Sequence, residues 1–335
     1  MEKMRNKWQL GLLMGVLCVL LLTGCGSKEE TVATLDKEEI TLSEAVFYTR
    51  LNQQQWEQAY VETFGEDFWS QSLGEELGTF ADELKQQVMD TICQIHLMNA
   101  HAKEYDVKLT KEEEADIEER VASFMDSHSQ DVKEAAGADE KLVKELLTAR
   151  VLADKVAEAM VADYEPEVTQ EEAALKKMTY CLFATTGTYD SEGNYRAVTA
   201  AEAEAIAAEA ELFAQTATEL GDIAAAGAVV NHTCIDVYFS DTANGGAHEK
   251  VAETVRTLEL GQIAGPIKTE EGYYVIQYVS DFDEEATAEN RENLIQAKKE
   301  AKCQEIYQQW LSEAEFTINQ EVWDTVKVDK VLFVP

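Results

Sequence analysis

The hydrophobic period of this chain changes twice, and that change constrains its fold more than any single motif. Phe80, Leu84, Val88, Ile92, Ile95 and Asn99 recur at steps of three or four, which predicts a long amphipathic helix over residues 80–105. Leu142, Leu146, Ala149, Ala153, Val156 and Met160 repeat the pattern and predict another over 139–164. Between them, Thr110-Lys-Glu-Glu reads as a capped helix start running to about Ser127. Upstream, residues 32–41 read as a short strand and a charged turn, with Thr41 or Ser43 placed to cap a helix over 43–62. At about Pro166 this helical region ends. Residues 177–184 (KMTYCLFA) then alternate and are rich in branched and aromatic side chains, as a strand requires. A polar loop (185–196), an alanine-rich helix (199–217), a strand (233–240), a short helix to about Leu258, a turn into a short strand (261–269) and a last strand (272–279) follow. Helical periodicity returns over 284–315, with Ile295, Cys303, Ile306 and Trp310 near one face, and a short strand lies within 316–328. A returning helix this apolar needs a surface to bury it, and the N-terminal helices supply one. The expected fold class is α+β, a discontinuous all-helical domain with a βαβαββ domain inserted into it.

The first residues read as an address. Lys3, Arg5 and Lys7 precede an uncharged apolar run over 10–22, 13 residues by count. A membrane span needs ~20 such residues, so the pattern is that of a secretory signal. Leu22-Thr23-Gly24-Cys25 resembles the bacterial lipobox, which makes Cys25 the expected lipid-attachment residue after cleavage of 1–24, with 25–31 as a polar tether. The protein is accordingly expected outside the cytoplasm, lipid-anchored to the cell membrane of a bacterium.

Charge narrows the partners. The chain carries 28 Lys and Arg against 65 Asp and Glu, a net charge of −37. Nucleic acid is excluded, because replacing phosphate counterions requires clustered basic residues. No nucleotide is expected, since no GxxxxGK[ST] loop occurs and an extracytoplasmic protein meets little ATP. An acidic surface instead favours partners of basic character.

Other constellations carry little chemistry. Once Cys18 and Cys25 are set aside, Cys93, Cys181, Cys234 and Cys303 allow three pairings; none has a CxxC spacing, and they read as buried thiols. His232, Cys234 and Asp236 alternate on a strand without a second ligand cluster, so no metal and no cofactor are expected. Glu112-Glu113-Glu114 and Asp283-Glu284-Glu285 are solvated helix starts. Phe47, Tyr48, Trp56, Tyr60, Phe64, Phe68 and Trp69 are mostly core, with some available to line a cleft.

The stretch from Leu258 to Ile276 (LELGQIAGPIKTEEGYYVI) resembles the C-terminal half of parvulin-type peptidyl-prolyl isomerases, where a Gly-Glu-Ile/Met turn with a following Pro precedes Gly-Tyr-His-Ile-Ile. The helical flanks, the lipobox, the polar loop after the first strand and the ending Phe316-Thr-Ile-Asn-Gln-Glu-Val-Trp resemble the extracytoplasmic foldase lipoproteins of the PrsA group, with an N-terminal helical region of SurA type. The likeness is specific over 255–279, weaker over 176–254, and a matter of organisation elsewhere. It implies a helical chaperone-like domain over 32–168, a parvulin-like domain over 176–282, and a helix and strand over 283–335 returning to the first. The implied partners are unfolded or newly secreted polypeptides. The implied reaction is rotation about X–Pro bonds, whose uncatalysed barrier of ~20 kcal/mol makes it slow enough to limit folding.

The family's two strand histidines are replaced. Its first-strand His-Ile-Leu falls on Cys181-Leu182-Phe183, and its Gly-Tyr-His falls on Gly272-Tyr273-Tyr274. The Gly-Gly-Asp-Leu-Gly run expected at the second strand reads Cys234-Ile-Asp-Val-Tyr-Phe, and a pocket aromatic falls on Arg256. By this carry-over Cys181 and Tyr274 are the expected catalytic positions, and Phe183, Phe239, Val251 and Ile276 the expected substrate-binding ones. Alternation places Thr179, Cys181 and Phe183 on one face of their strand, and Tyr274, Ile276 and Tyr278 on one face of theirs, both taken to line the cleft. A thiol and a phenol make weak polar contacts but are not an imidazole pair. Two readings follow: an altered isomerase, or a peptide-binding or envelope-scaffold module of the same fold. Weak or absent catalysis is expected.

Overall fold

The computed structural model describes residues 29–74, 77–189 and 194–333. Residues 1–24 and Cys25 lie outside them. The chain divides into two compact units, one of residues 1–156 with 310–335, the other of 157–309.

The first unit opens with strands β1 (Thr31–Leu35) and β2 (Glu38–Thr41), a hairpin whose turn places Asp36 at φ 52°, a conformation Asp tolerates better than most residues. Thr41 then caps α1 (Leu42–Phe64), its side chain accepting the Glu44 N–H. A short 3-10 turn (Phe68–Ser70) and the hairpin of β3 (Ser72–Gly74) and β4 (Gly78–Thr79) lead to α2 (Phe80–Ala100), which starts in a reciprocal capping box of Thr79 and Asp82. The stripe expected on α2 is the buried one: Phe80, Leu84, Val88, Ile92 and Ile95 all face the core, and Asn99 donates to the Ala149 carbonyl at 3.0 Å. The helix stops at Ala100, five residues short of the expected end, and continues as turns. Helices α3 (Lys111–Ser127), α4 (Gln130–Ala136) and α5 (Glu140–Met160) follow, α3 through the expected Thr110–Glu113 capping box. Phe47, Ile117, Val121, Val143 and Leu146 form the core among them.

In the second unit α6 (Gln170–Ala173) precedes strand β5 (Lys176–Ala184), a small hairpin β6 (Thr188–Tyr189) and β7 (Tyr195–Arg196), and helices α7 (Ala200–Leu220) and α8 (Ile223–Val230). Then come β8 (Cys234–Phe239), α9 (Glu249–Val255), β9 (Ile263–Lys268), β10 (Gly272–Ser280) and α10 (Glu284–Glu313). The four long strands form one antiparallel sheet in the order β8-β5-β10-β9, which realises the expected βαβαββ succession. The chain finishes in the first unit with β11 (Phe316–Ile318) and α11 (Gln320–Trp323). There β11 pairs antiparallel with β1, Ala33 opposite Ile318 and Leu35 opposite Phe316. The helical unit therefore contains a three-stranded sheet, β11-β1-β2, that the sequence reading did not anticipate.

Two cores sandwich the four-stranded sheet. One face packs on α7 and α8 through Cys181, Phe183, Val275, Ala210, Phe213, Ala217 and Ile223. The opposite face packs on α9 through Met178, Phe239, Val251, Val255, Tyr274 and Ile276. Gln277 anchors the first arrangement: its side chain accepts the Ile223 N–H at 3.0 Å and donates to the Gly221 and Gly261 carbonyls at 3.0 and 3.1 Å. Those bonds pair main-chain groups of the α7–α8 turn and of the loop before β9. Gly272 opens β10 at φ +147°, and a Cβ there would meet the Phe183 carbonyl oxygen at 2.2 Å, so only glycine permits this close pairing with β5.

Candidate functional site

Register decides which side chains meet. In the antiparallel ladder Tyr274 stands opposite Leu182, Ile276 opposite Tyr180, and Val275 opposite Cys181. Directly opposed residues share a face, so Tyr274 lies with Leu182 and Tyr180, and Cys181 lies on the other side of the sheet. On the α9 face, the Tyr180 and Tyr274 rings meet edge to face at 5.2 Å. Ile235 of the edge strand β8 sits opposite Tyr180 and is 47% exposed. Tyr180, Leu182 and Ile235, none of them buried, thus continue the α9-side core outward into an accessible apolar surface beside the buried Tyr274.

The polar groups lie on the rim. The Tyr274 hydroxyl donates to the Glu271 carboxylate. Burial first, and then this carboxylate, push the phenol above its ordinary range, so it stays protonated and able to donate at neutral pH. His248 caps α9, its Nδ1 accepting the Lys250 N–H at 3.2 Å, which leaves the proton on Nε2 to donate to Glu270 at 3.1 Å. The His248 ring is 6.3 Å from that of Tyr274. Glu270 is held below the usual carboxylate range by a backbone hydrogen bond and by His248.

The expected site residues divide between the two faces. Phe239, Val251 and Ile276 do lie on the Tyr274 face, but each is no more than 1% exposed. They are its packed floor and present no surface to a peptide. Cys181 and Phe183 are a correction: they pack on the opposite face against Phe213 and Ala217. Cys181 is also not a thiol, because it forms a disulfide with Cys234, its direct cross-strand partner, across a Cα separation of 4.5 Å. The expectation of buried free thiols fails at these two positions. Phe183 stacks on His232 at 4.1 Å, and His232 Nε2 lies 3.0 Å from the Leu182 carbonyl. Asp236 accepts from Thr179 at 2.6 Å and from Lys177 at 2.8 Å. His232, Cys234 and Asp236 are thus each engaged separately. Among the described residues, no three His, Cys, Asp or Glu side chains converge to hold a metal ion. Arg256 ties down the loop after β8 through the Ser240 carbonyl at 3.0 Å and the Asn244 side chain at 2.8 Å.

Sequence reasoning missed Tyr180, Leu182, Ile235 and His248. The signal was the pleat. Alternation along β5 sets Tyr180 and Leu182 on the face opposite Cys181, and that is the face the ladder shares with Tyr274.

No family model matches the chain. It is 27% identical over 282 residues to the foldase protein PrsA of Caldanaerobacter subterraneus subsp. tengcongensis, covering 78% of this chain and 80% of that protein. Its resemblance to the PrsA-type foldases therefore extends over most of its length. Among solved structures, PrsA of Bacillus cereus is 16% identical with a TM-score of 0.28, covering 79% of this chain and 96% of that one. A SurA-like chaperone of Campylobacter jejuni, one of the related pair PEB4 and Cj1289, is 8% identical with a TM-score of 0.31, covering 86% of this chain and 98% of that one. Among the described residues no helix is long and apolar enough to cross a membrane.

Proposed function

We propose that this chain is an extracytoplasmic folding factor, anchored by a lipid on Cys25, that binds unfolded or newly secreted polypeptides and isomerises X–Pro bonds weakly or not at all. In this reading residues 32–168 and 283–335 supply the helical chaperone domain and 176–282 the parvulin-like one. The proline-binding surface is the face of Tyr180, Leu182, Ile235 and Tyr274 rather than one containing Cys181.

The observation that carries the proposal is the Tyr180–Tyr274 contact beside an open apolar strip. A twisted amide is stabilised over a planar one by donors aimed at its carbonyl, within an apolar pocket for the ring. Here the Tyr274 donor is already engaged by Glu271, and no imidazole stands on either strand position. Binding survives such a change better than catalysis does. Prolyl exchange measured by NMR on X–Pro peptides with the full chain tests this. The expected result is peptide binding, detected as shifts of Tyr180 and Tyr274, with exchange less than about ten times that of peptide alone, a factor worth about 1.4 kcal/mol of barrier. Strong acceleration would establish an altered but working isomerase, and no shift on this face would remove the site.

A further inference from the structure

Residues 327–333 form neither helix nor strand, yet Val328 and Phe333 are buried, 5% and 9% exposed. Their main chain is held by one stripe of α1. Arg50 Nη1 donates to the Lys327 carbonyl at 2.8 Å, and Gln53 Nε2 donates to the Lys330 carbonyl at 3.0 Å. Glu57 accepts the Leu332 N–H at 3.0 Å and the Phe333 N–H at 2.7 Å. Arg50, Gln53 and Glu57 are three and four residues apart and so form one row on the helix. They also bind each other, Arg50 to Gln53 at 2.6 Å and Gln53 to Glu57 at 2.7 Å, and Trp69 Nε1 donates to Glu57 at 3.2 Å.

Gln53 and Glu57 are both fully buried. Burying a carboxylate and an amide costs several kcal/mol unless their hydrogen bonds are made. Residues 327–333 have no helix or sheet partners, so their main-chain groups need side chains to pair them, which an apolar helix face could not supply. What the stripe does supply is recognition of main chain: among the described residues, its hydrogen bonds to 327–333 all go to backbone groups. Side-chain selectivity is left to the sites filled by Val328 and Phe333 and to the charge of Arg50, which interacts with Asp329. Next to the stripe, Trp69 stacks on Trp56 at 6.0 Å in a cluster that reaches Tyr60 and Phe64, which are 36% and 44% exposed. A row that pairs with backbone carbonyls and amides, beside exposed aromatics, suits an extended polypeptide of almost any sequence carrying spaced apolar residues.

We infer that the Arg50–Gln53–Glu57 stripe is a main-chain-reading groove for extended polypeptide, occupied in cis by residues 327–333, and that an unfolded client displaces this segment. The inference rests on the polypeptide-binding reading above and adds where binding occurs. A tethered occupant acts at an effective concentration near millimolar, so it screens out weak ligands and yields to clients that make contacts beyond the groove.

The test uses the full chain and two probes: a reduced, carboxymethylated protein that cannot fold, and a fluorescent unstructured peptide with spaced Val and Phe. Anisotropy reports binding, and hydrogen exchange reports the Leu332 and Phe333 amides. Saturating client is expected to lower protection at these two amides at least ten-fold while the β1–β2 amides stay protected. Phe333→Ala weakens the occupant without altering the groove, and is expected to tighten peptide binding several-fold. Binding with unchanged protection, or with unchanged affinity in Phe333→Ala, overturns the inference alone. Absence of binding by either probe overturns the polypeptide-binding reading and this inference with it.

Discussion

Tyr180 and Tyr274 pack edge to face at 5.2 Å on one side of the sheet, while Cys181, between Tyr180 and Leu182 in sequence, points to the other side and is bonded to Cys234. This geometry separates two assignments that differ by one residue. If the phenols mark the proline-binding face, Tyr180→His with Tyr274→His is expected to raise prolyl exchange by roughly ten-fold or more, about 1.4 kcal/mol of barrier. Cys181→Ala with Cys234→Ala is expected to leave exchange unchanged in protein that remains folded. NMR exchange on the same peptides checks both, and a loss in the alanine pair would return Cys181 to the site.

The disulfide closes a loop with a sequence separation of 53 residues. Cross-linking a loop of that length restricts the unfolded chain by about 4 kcal/mol in the chain-entropy account, and measured values run about 2–5 kcal/mol. Reduction, or Cys181→Ala with Cys234→Ala, is expected to lower stability within that range. Urea unfolding followed with and without a reductant gives the value; equal midpoints would mean that the cross-link does not form in solution.

His96 sits between two carboxylates, Nδ1 at 2.9 Å from Glu38 and Nε2 at 3.1 Å from Glu44. Burial opposes its charge, but Glu44 and Glu38 outweigh burial and raise its pKa above the ordinary value. A raised folded pKa contributes stability fully present below the unfolded pKa of about 6.5 and lost as pH rises through the folded value. Wild-type protein should therefore lose stability on going from pH 6 to pH 9. His96→Gln should flatten that slope. Denaturant titrations across this range decide it, and parallel slopes in the two proteins would exclude the charged pair.

The chain carries a net charge of −37, with 65 acidic residues against 28 basic. Exposed charges are screened beyond about 8 Å at physiological ionic strength. Unfolded clients rich in Lys and Arg are expected to bind tighter than neutral ones in low salt, and to lose that margin at 0.5 M NaCl. Anisotropy titrations of a matched basic and neutral peptide measure the difference. A basic peptide indifferent to salt would show that apolar contacts alone set affinity.

The helices and strands were legible because each writes its period locally: the α2 stripe of Leu84, Val88, Ile92 and Ile95 is buried as spaced, and the alternation of 176–184 is that of a strand. Short helices of about two turns, such as α4 and α8, repeat their period too few times to leave such a trace. The pairing of β1 with β11 was likewise invisible, because it joins segments some 280 residues apart, with Asp36 N–H donating to the Glu315 carbonyl at 2.8 Å.

The sequence by itself determined the course of the long helices and strands and the α+β class, since these are properties of neighbours along the chain. Only the tertiary structure decided which residues share the site. A one-residue shift in register moves every side chain to the opposite face, and it is the ladder between β5 and β10 that sets Tyr180 beside Tyr274 and takes Cys181 into the disulfided core. The docking of 327–333 on Arg50, Gln53 and Glu57 belongs to the same category. Its hydrogen bonds go to main chain, which every residue carries alike, so no pattern of side chains announces it.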